Sequence, residues 1–334
     1  MAEGVILQGG ECVKIENASI SSSSKPAIST NRKKRGMIFY LRRDWQLYSL
    51  LLLPFTFVAL FKYAPMSGLV LAFKDYKLAK GIWGSEWVGF EVFMDLFAKH
   101  DFLRAVRNTL LLNSLDLVFS FTMPIVLALL LNEIKNVRFK RANQTVLYLP
   151  HFLSWVIIGA IAYQLLSVGN GVINNVIESI GGNRIPFLQE DTHWLFTYLA
   201  IGVWQSMGWG TIIYLASISS INPEMYEAAT VDGAGRWRKA WNVTLPSIRV
   251  TIVTLLILNL GKIMEGSFER IIALQNKATT EFTTTIPVLV YRWGIEGGNF
   301  SRATALGLFQ AVIGLVLVLA ADRIAKKLGE DGLI

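Results

Sequence analysis

The sequence predicts an all-α membrane protein of six transmembrane helices, with the N and C termini cytoplasmic. Three observations predict it. Hydrophobic residues make up 53% of the 334 and charged residues only 17%, well under the roughly 25% charged residues of soluble domains. The apolar residues gather in six blocks, each near the roughly twenty residues a helix needs to cross about 30 Å of hydrocarbon. Dense basic groups flank alternate ends of these blocks, which is the pattern of cytoplasmic helix ends.

Residues 1–43 are polar, with a serine run at Ser21–Ser24 and no helical or strand periodicity, and they carry Arg32, Lys33, Lys34, Arg35, Arg42 and Arg43. That composition predicts a disordered, basic cytoplasmic tail. The first transmembrane helix is expected over 44–66. Its apolar run from Trp45 to Ala64 is too long for a signal peptide, and no small-residue cleavage site follows. The core of the transmembrane domain is expected over 104–323, with spans at Thr109–Leu131, Val146–Leu166, Trp194–Ile218, Ile248–Gly266 and Ala305–Ala321. A cytoplasmic tail over 324–334 completes the chain. Pro54 and Pro124 fall within spans, where neighbouring helices can accommodate the freed backbone groups.

Charge sets the orientation. Lys135, Arg138, Lys140 and Arg141 lie between the second and third spans, and Arg236, Arg238, Lys239 and Arg249 between the fourth and fifth. Arg323, Lys326 and Lys327 follow the sixth. Segment 65–103 dilutes its lysines with Asp75, Glu86, Glu91, Asp95 and Asp101, and Arg184 is the only arginine or lysine of 168–193. These two segments are therefore expected outside. Trp83 and Trp87 suit the outer interface, and Val172–Ile180 has the spacing of a short amphipathic helix.

Several classes of function are disfavoured. The net charge of +8 is accounted for by clusters beside the spans, so no nucleic-acid partner is expected. Cys12 is the only cysteine, which precludes an intramolecular disulfide. His100, His151 and His193 are too scattered to suggest a metal site. Gly261-Lys262-Ile263 is the nearest approach to a phosphate-binding loop, and it lacks both the earlier glycine and the Ser/Thr. With no GxSxG or HExxH pattern either, no catalytic residue and no bound cofactor are expected; energy must come from a partner.

Polar residues inside spans are costly unless they face the bundle interior or water. Asp116 in the second span, Tyr163 and Gln164 in the third, and Trp204, Gln205 and Trp209 in the fourth are candidates for a translocation path. Asn259 and Lys262 in the fifth join them, with Glu265 at a further three-residue step. A hydrated sugar needs amides and carboxylates for its hydroxyls and aromatic faces for its C–H surfaces. The plainer alternative is hydrogen bonding between helices, with Lys262 and Glu265 paired to each other.

The loop over 220–246 has a local logic of its own. Asn222 suits an N-cap and Pro223 the first helical position. Glu224 and Glu227 place negative charge in the opening turns. Asp232-Gly233 and Gly235 break the helix, after which Arg236, Arg238 and Lys239 open a basic helix with Trp237 and Trp241 one turn apart.

Glu227-Ala228-Ala229, then Asp232-Gly233-Ala234, then Leu245-Pro246, between two spans, resembles the EAA loop of ABC importer permeases. The resemblance extends over about residues 40–334. Leu53-Pro54, Phe61–Gly68, Ala72–Tyr76, Tyr291–Phe300 and Ala303–Phe309 are similar to the LplB-like branch of sugar-importer permeases, which handles oligosaccharides derived from polysaccharides. It implies a type I ABC importer permease fold in the plasma membrane of a bacterium. The loop would be the cytoplasmic coupling helix that docks on an ATPase. Glu227 and Asp232 would brace it and Gly233 would permit its turn. Trp241, where the loop often has phenylalanine, would supply an aromatic plug near Pro246. Implied partners are a second related permease, two ATP-binding-cassette ATPase subunits that use the ATP, and an extracytoplasmic lipoprotein that binds the sugar. Transport would proceed by alternating access. A permease for another solute, such as a polyamine or phosphate, would want several acidic groups or arginines in its spans, and a membrane enzyme or scaffold would want clustered catalytic groups or long soluble extensions.

Overall fold

A computed structural model describes residues 43–327 and 329; the tail expected over 1–43 and the end of the C-terminal one lie almost wholly outside the described residues. The chain divides into two units at Tyr63. Before it stands α1 (Trp45–Val58), which continues as a π-helical turn over Ala59–Tyr63. None of its side chains is buried, and Pro54 sits within the helix without ending it.

Beyond Tyr63 the segment expected outside is structured. A 3₁₀ stretch over Ala64–Phe73 leads into a two-stranded antiparallel ribbon, β1 (Lys74–Asp75) with β2 (Glu86–Trp87), in register Lys74 to Trp87. Helix α2 (Glu91–Ala98) follows. Phe73 stacks on Trp87 at 5.8 Å, and Phe93, Phe97, Phe102 and Phe309 continue the aromatic contacts inward. Trp83 and Trp87 remain largely exposed.

Helix α3 (His100–Asn132) is the axis of the bundle, because it contributes to all three buried apolar clusters through Ala105, Leu112 and Ala128. It contains the expected second span. The expected third span is instead two pieces. Helix α4 (Val137–Tyr148) runs on through a 3₁₀ turn to Phe152, and α5 (Trp155–Leu166) leaves at 100°. Pro150 stands in that turn without an N–H to give, and the Ser154 hydroxyl accepts from the Ile157 N–H, starting a new helix. Helix α6 (Val172–Ser179) occupies the short amphipathic stretch, and α7 (Asp191–Ser219) contains the fourth span.

The loop contributes α8 (Pro223–Val231) and α9 (Arg236–Ser247). Next come α10 (Arg249–Gly261), set at 64° to α9, and α11 (Phe268–Leu274). The expected fifth span ended at Gly266; helix α10 stops five residues earlier, and Lys262–Glu265 form turns. Asn259, Lys262 and Glu265 therefore do not continue one helical face. Finally α12 (Ile286–Tyr291) and α13 (Phe300–Lys327) close the bundle, α13 carrying the sixth span past its expected end.

Among the described residues, three helical runs are long and apolar enough to cross a membrane, Trp45–Phe73, His100–Asn132 and Phe300–Lys327. Counting each bent pair, Val137–Leu166 and Arg236–Gly261, as one span gives up to five. Helix α7 has the length, at 29 residues, but Gln205, Ser206, three glycines and three tryptophans dilute its apolar character.

Candidate translocation cavity and coupling loop

The loop over 220–246 is a helical hairpin with a defined turn. The Asn222 carboxamide oxygen accepts from the Glu224 N–H at 3.1 Å, and Pro223 occupies the first turn. At the far end Gly233 adopts φ +73°, a conformation that costs a glycine least, while the Ala234 N–H donates back to Ala229 O at 2.9 Å. Two side-chain bonds lock α8 against α9: Tyr226 Oη to Thr244 Oγ1 at 3.0 Å, and Lys239 Nζ donating to Thr230 Oγ1 at 2.6 Å. Arg236 reaches Glu133, just past the end of α3, at 3.6 Å.

Glu227, Ala228, Asp232, Gly233, Trp241 and Pro246 are exposed, and Ala229 and Ala234 half-buried. Among the described residues the Glu227 and Asp232 carboxylates make no hydrogen bond or ion pair. Trp241 and Pro246 belong to α9, not to the Glu-Ala-Ala helix. Trp237 and Trp241 share one side as expected, where with Ile125, Leu129 and Leu130 of α3 they line a largely apolar groove of about 450 Å³.

A cavity of about 390 Å³ lies where α3, α7 and the α10–α11 break meet, lined among others by Asn113, Asp116, His151, Trp209, Asn259 and Lys262. Four of the eight expected path residues thus come together: Asp116, Trp209, Asn259 and Lys262. Trp209 presents an indole stacked on the His151 ring at 4.7 Å and 7°. Asn113 donates to Ile263 O at 2.6 Å and so fastens the break to α3. Lys262 and Glu265 both line or border the space, and no ion pair joins them among the described residues.

The other four lie elsewhere. Tyr163 lines a separate pocket and donates from its hydroxyl to Gln275 O at 3.0 Å. Gln164 is exposed on α5, and Trp204 is 43% exposed on α7. Gln205 is buried against the α4–α5 turn, with Nε2 at 3.5 Å from His151 O. For Gln205 the plainer reading, a helix-to-helix contact, describes its surroundings.

One residue behind the cavity was absent from the sequence expectations. Arg270, on α11, is only 2% exposed. Its Nη2 lies 2.7 Å from Asp116 Oδ2 and donates to Tyr198 Oη at 2.7 Å. The guanidinium lies 3.8 Å over the Tyr198 ring and 5.5 Å from the Trp155 ring, geometry in which aromatic faces attract a cation. Ser120 donates to the other Asp116 oxygen at 2.9 Å. A Cβ at Gly202 would collide with the guanidinium, so α7 must present a bare backbone there. The available signal was an arginine opening the apolar stretch Ile271–Leu274, since a charge that becomes buried requires a partner. The consequence for the cavity is electrostatic: Asp116 contributes hydrogen-bonding oxygens to the wall while its charge is matched from behind.

Among the described residues no group of three or more His, Cys, Asp or Glu side chains is placed to hold a metal ion.

Helices too apolar for water, a polar cavity at their crossing and a basic hairpin left open to solvent define a membrane permease subunit. The chain belongs to the binding-protein-dependent transport system inner membrane component family, whose profile matches residues 120–330. It is 45% identical over 294 residues to Protein LplB of Bacillus subtilis (strain 168), covering 88% of this chain and 92% of that one. It is 44% identical over 306 residues to the polygalacturonan/rhamnogalacturonan transport system permease protein YteP of the same strain, covering 92% and 95%. Among solved structures it superposes, with a TM-score of 0.81 and 41% identity, on a chain of a bacterial alginate ABC transporter in complex with an alginate pentasaccharide-bound periplasmic protein, covering 89% and 99%. The family is one of ABC transporter permease subunits, which are not themselves enzymes.

Proposed function

We propose that this chain is one permease subunit of an ABC importer that carries an oligosaccharide, derived from an acidic polysaccharide, across the bacterial plasma membrane. The observation that carries the reading is the cavity itself. Its amides, its charge-matched carboxylate, Lys262 and the Trp209 indole are the groups a sugar needs, and its volume is in the range of small-molecule sites. The relatives support the substrate class, since two are named for polygalacturonan or alginate transport.

The remaining parts follow from the loop. Six spans with both termini inside, the third being the α4–α5 pair, the fourth α7 and the fifth carried by α10, would put the α8–α9 hairpin in the cytosol. There the exposed Glu227, Asp232 and Val231 are free to meet an ATPase. A second related permease would complete the path, two ATPase subunits would use the ATP, and an extracytoplasmic lipoprotein would deliver the sugar. ATP-driven closure of the ATPases would move the hairpins and switch the cavity between the two sides. The test is uptake of labelled oligogalacturonate by proteoliposomes holding the importer purified from its native membrane with its partners. ATP-dependent uptake is expected; recovery of this chain without an ATPase in mild detergent would overturn the reading.

A further inference from the structure

A second pocket, of about 370 Å³, shares no residue with the cavity described above. It lies between the outer end of α5, the segment around Leu188 and Gln189, and the loop that follows α11. The charge pattern of the chain puts these segments outside the membrane, where a delivered sugar first meets the permease.

Its walls are held rigid by side chains that are themselves satisfied. Asn174, fully buried, donates to Ser167 O at 3.1 Å and Ile185 O at 3.0 Å and accepts from the Ile185 N–H at 2.8 Å. Asn276 donates to Leu188 O and accepts from the Ala278 N–H at 2.9 Å. Arg184 donates to the carbonyls of Val168 and Gly169 and pairs with Glu178 at 2.7 Å. By contrast, among the described residues the Ser167 hydroxyl, the Gln189 amide and Lys277 Nζ, all lining the pocket, make no hydrogen bond or ion pair. Lys277 is the one charged residue that lines it, and the adjacent Glu190 is already held by His193 at 2.9 Å. Tyr163 supplies a half-open ring fixed through its hydroxyl.

We propose that this pocket is an outer subsite for one uronate residue of the incoming oligosaccharide, with Lys277 pairing its carboxylate, Gln189 and Ser167 meeting its hydroxyls, and the Tyr163 ring facing its C–H surface. The proposal rests on the oligosaccharide reading above. A rigid pocket with three unspent polar groups, one of them a cation, selects an acidic sugar over a neutral one, because a charge-assisted hydrogen bond is about twice as strong as a neutral one.

The experiment is saturation-transfer NMR on the assembled importer in nanodiscs, without its binding protein, using trigalacturonate as probe and maltotriose as the neutral control. Trigalacturonate is expected to receive magnetisation and maltotriose little. Lys277→Gln, an exposed loop position, should weaken trigalacturonate binding about tenfold, and Lys277→Arg should retain it. Unchanged binding by Lys277→Gln, or equal transfer to both sugars, overturns the subsite while leaving the oligosaccharide reading in place. Failure of the complete importer to take up any oligosaccharide with its binding protein and ATP overturns both.

Discussion

At the scale of single residues, the Arg270–Asp116 pair is the arrangement most exposed to substitution. Removing Asp116 would strand the Arg270 guanidinium in a buried site, a loss of about 3–5 kcal/mol, and removing Arg270 would leave the Asp116 carboxylate unmatched on the cavity wall. Arg270→Met is therefore expected to lower the thermal midpoint of the purified complex sharply, and Arg270→Met with Asp116→Leu to recover much of it; equal midpoints for the single and double variants would remove the pair from the argument. Gly202→Val should act like the Arg270 loss, because its side chain needs the space the guanidinium fills. Outside the membrane, the Arg184 guanidinium bonded to Glu178 holds that carboxyl below its usual range. A lowered carboxylate pKa gives stability that is present above the ordinary glutamate value of about 4.3 and lost as the pH falls through the shifted value. Hydrogen exchange around α6 should accordingly stay slow through pH 5 and quicken only in stronger acid, whereas Arg184→Ala should quicken it already at neutral pH.

At the scale of elements, the loop carries the clearest prediction. Glu227→Lys or Gly233→Pro should abolish uptake while leaving membrane insertion intact; the first reverses an exposed charge, and the second forces proline into a φ of +73° that it cannot adopt. Normal transport by both would remove the hairpin from the coupling role. The hairpin was also the part most legible in the sequence. Capping asparagine, proline, breaking glycine and basic restart are local signals, and each does in the structure what its backbone chemistry dictates. The cavity lining was half legible. Asp116, Trp209, Asn259 and Lys262 converge, yet spacing alone could not separate Gln205, turned against a neighbouring turn, from Trp209, whose ring lines open space. Arg270 escaped because it lies beyond the expected end of the fifth span at Gly266, in a connection whose polar residues were not weighed as buried. The break at Pro150 escaped because a twenty-residue window treats two short helices in sequence as one, and the one after Gly261 because the expected fifth span ran on over the turn Lys262–Glu265.

At the scale of the whole molecule, sidedness is the expectation to check. With Cys12 replaced by serine, cysteines placed at Glu178 and at Arg238 should react with an impermeant maleimide from opposite faces of oriented vesicles; labelling from one face would invert the assignment of the hairpin. If the assignment stands, the chain from Arg236 to Leu274 has the form of a crank. Its handle is the hairpin, its throw is the 64° bend into α10, and its far journal is Arg270, gripped by Asp116, Tyr198 and the close-packed backbone of Gly202. A crank fixed at that end cannot pass torque onward. Work done on the hairpin would then have to be taken up between the 64° bend and Arg270, the stretch in which Asn113 ties the turn Lys262–Glu265 to α3 through Ile263 O.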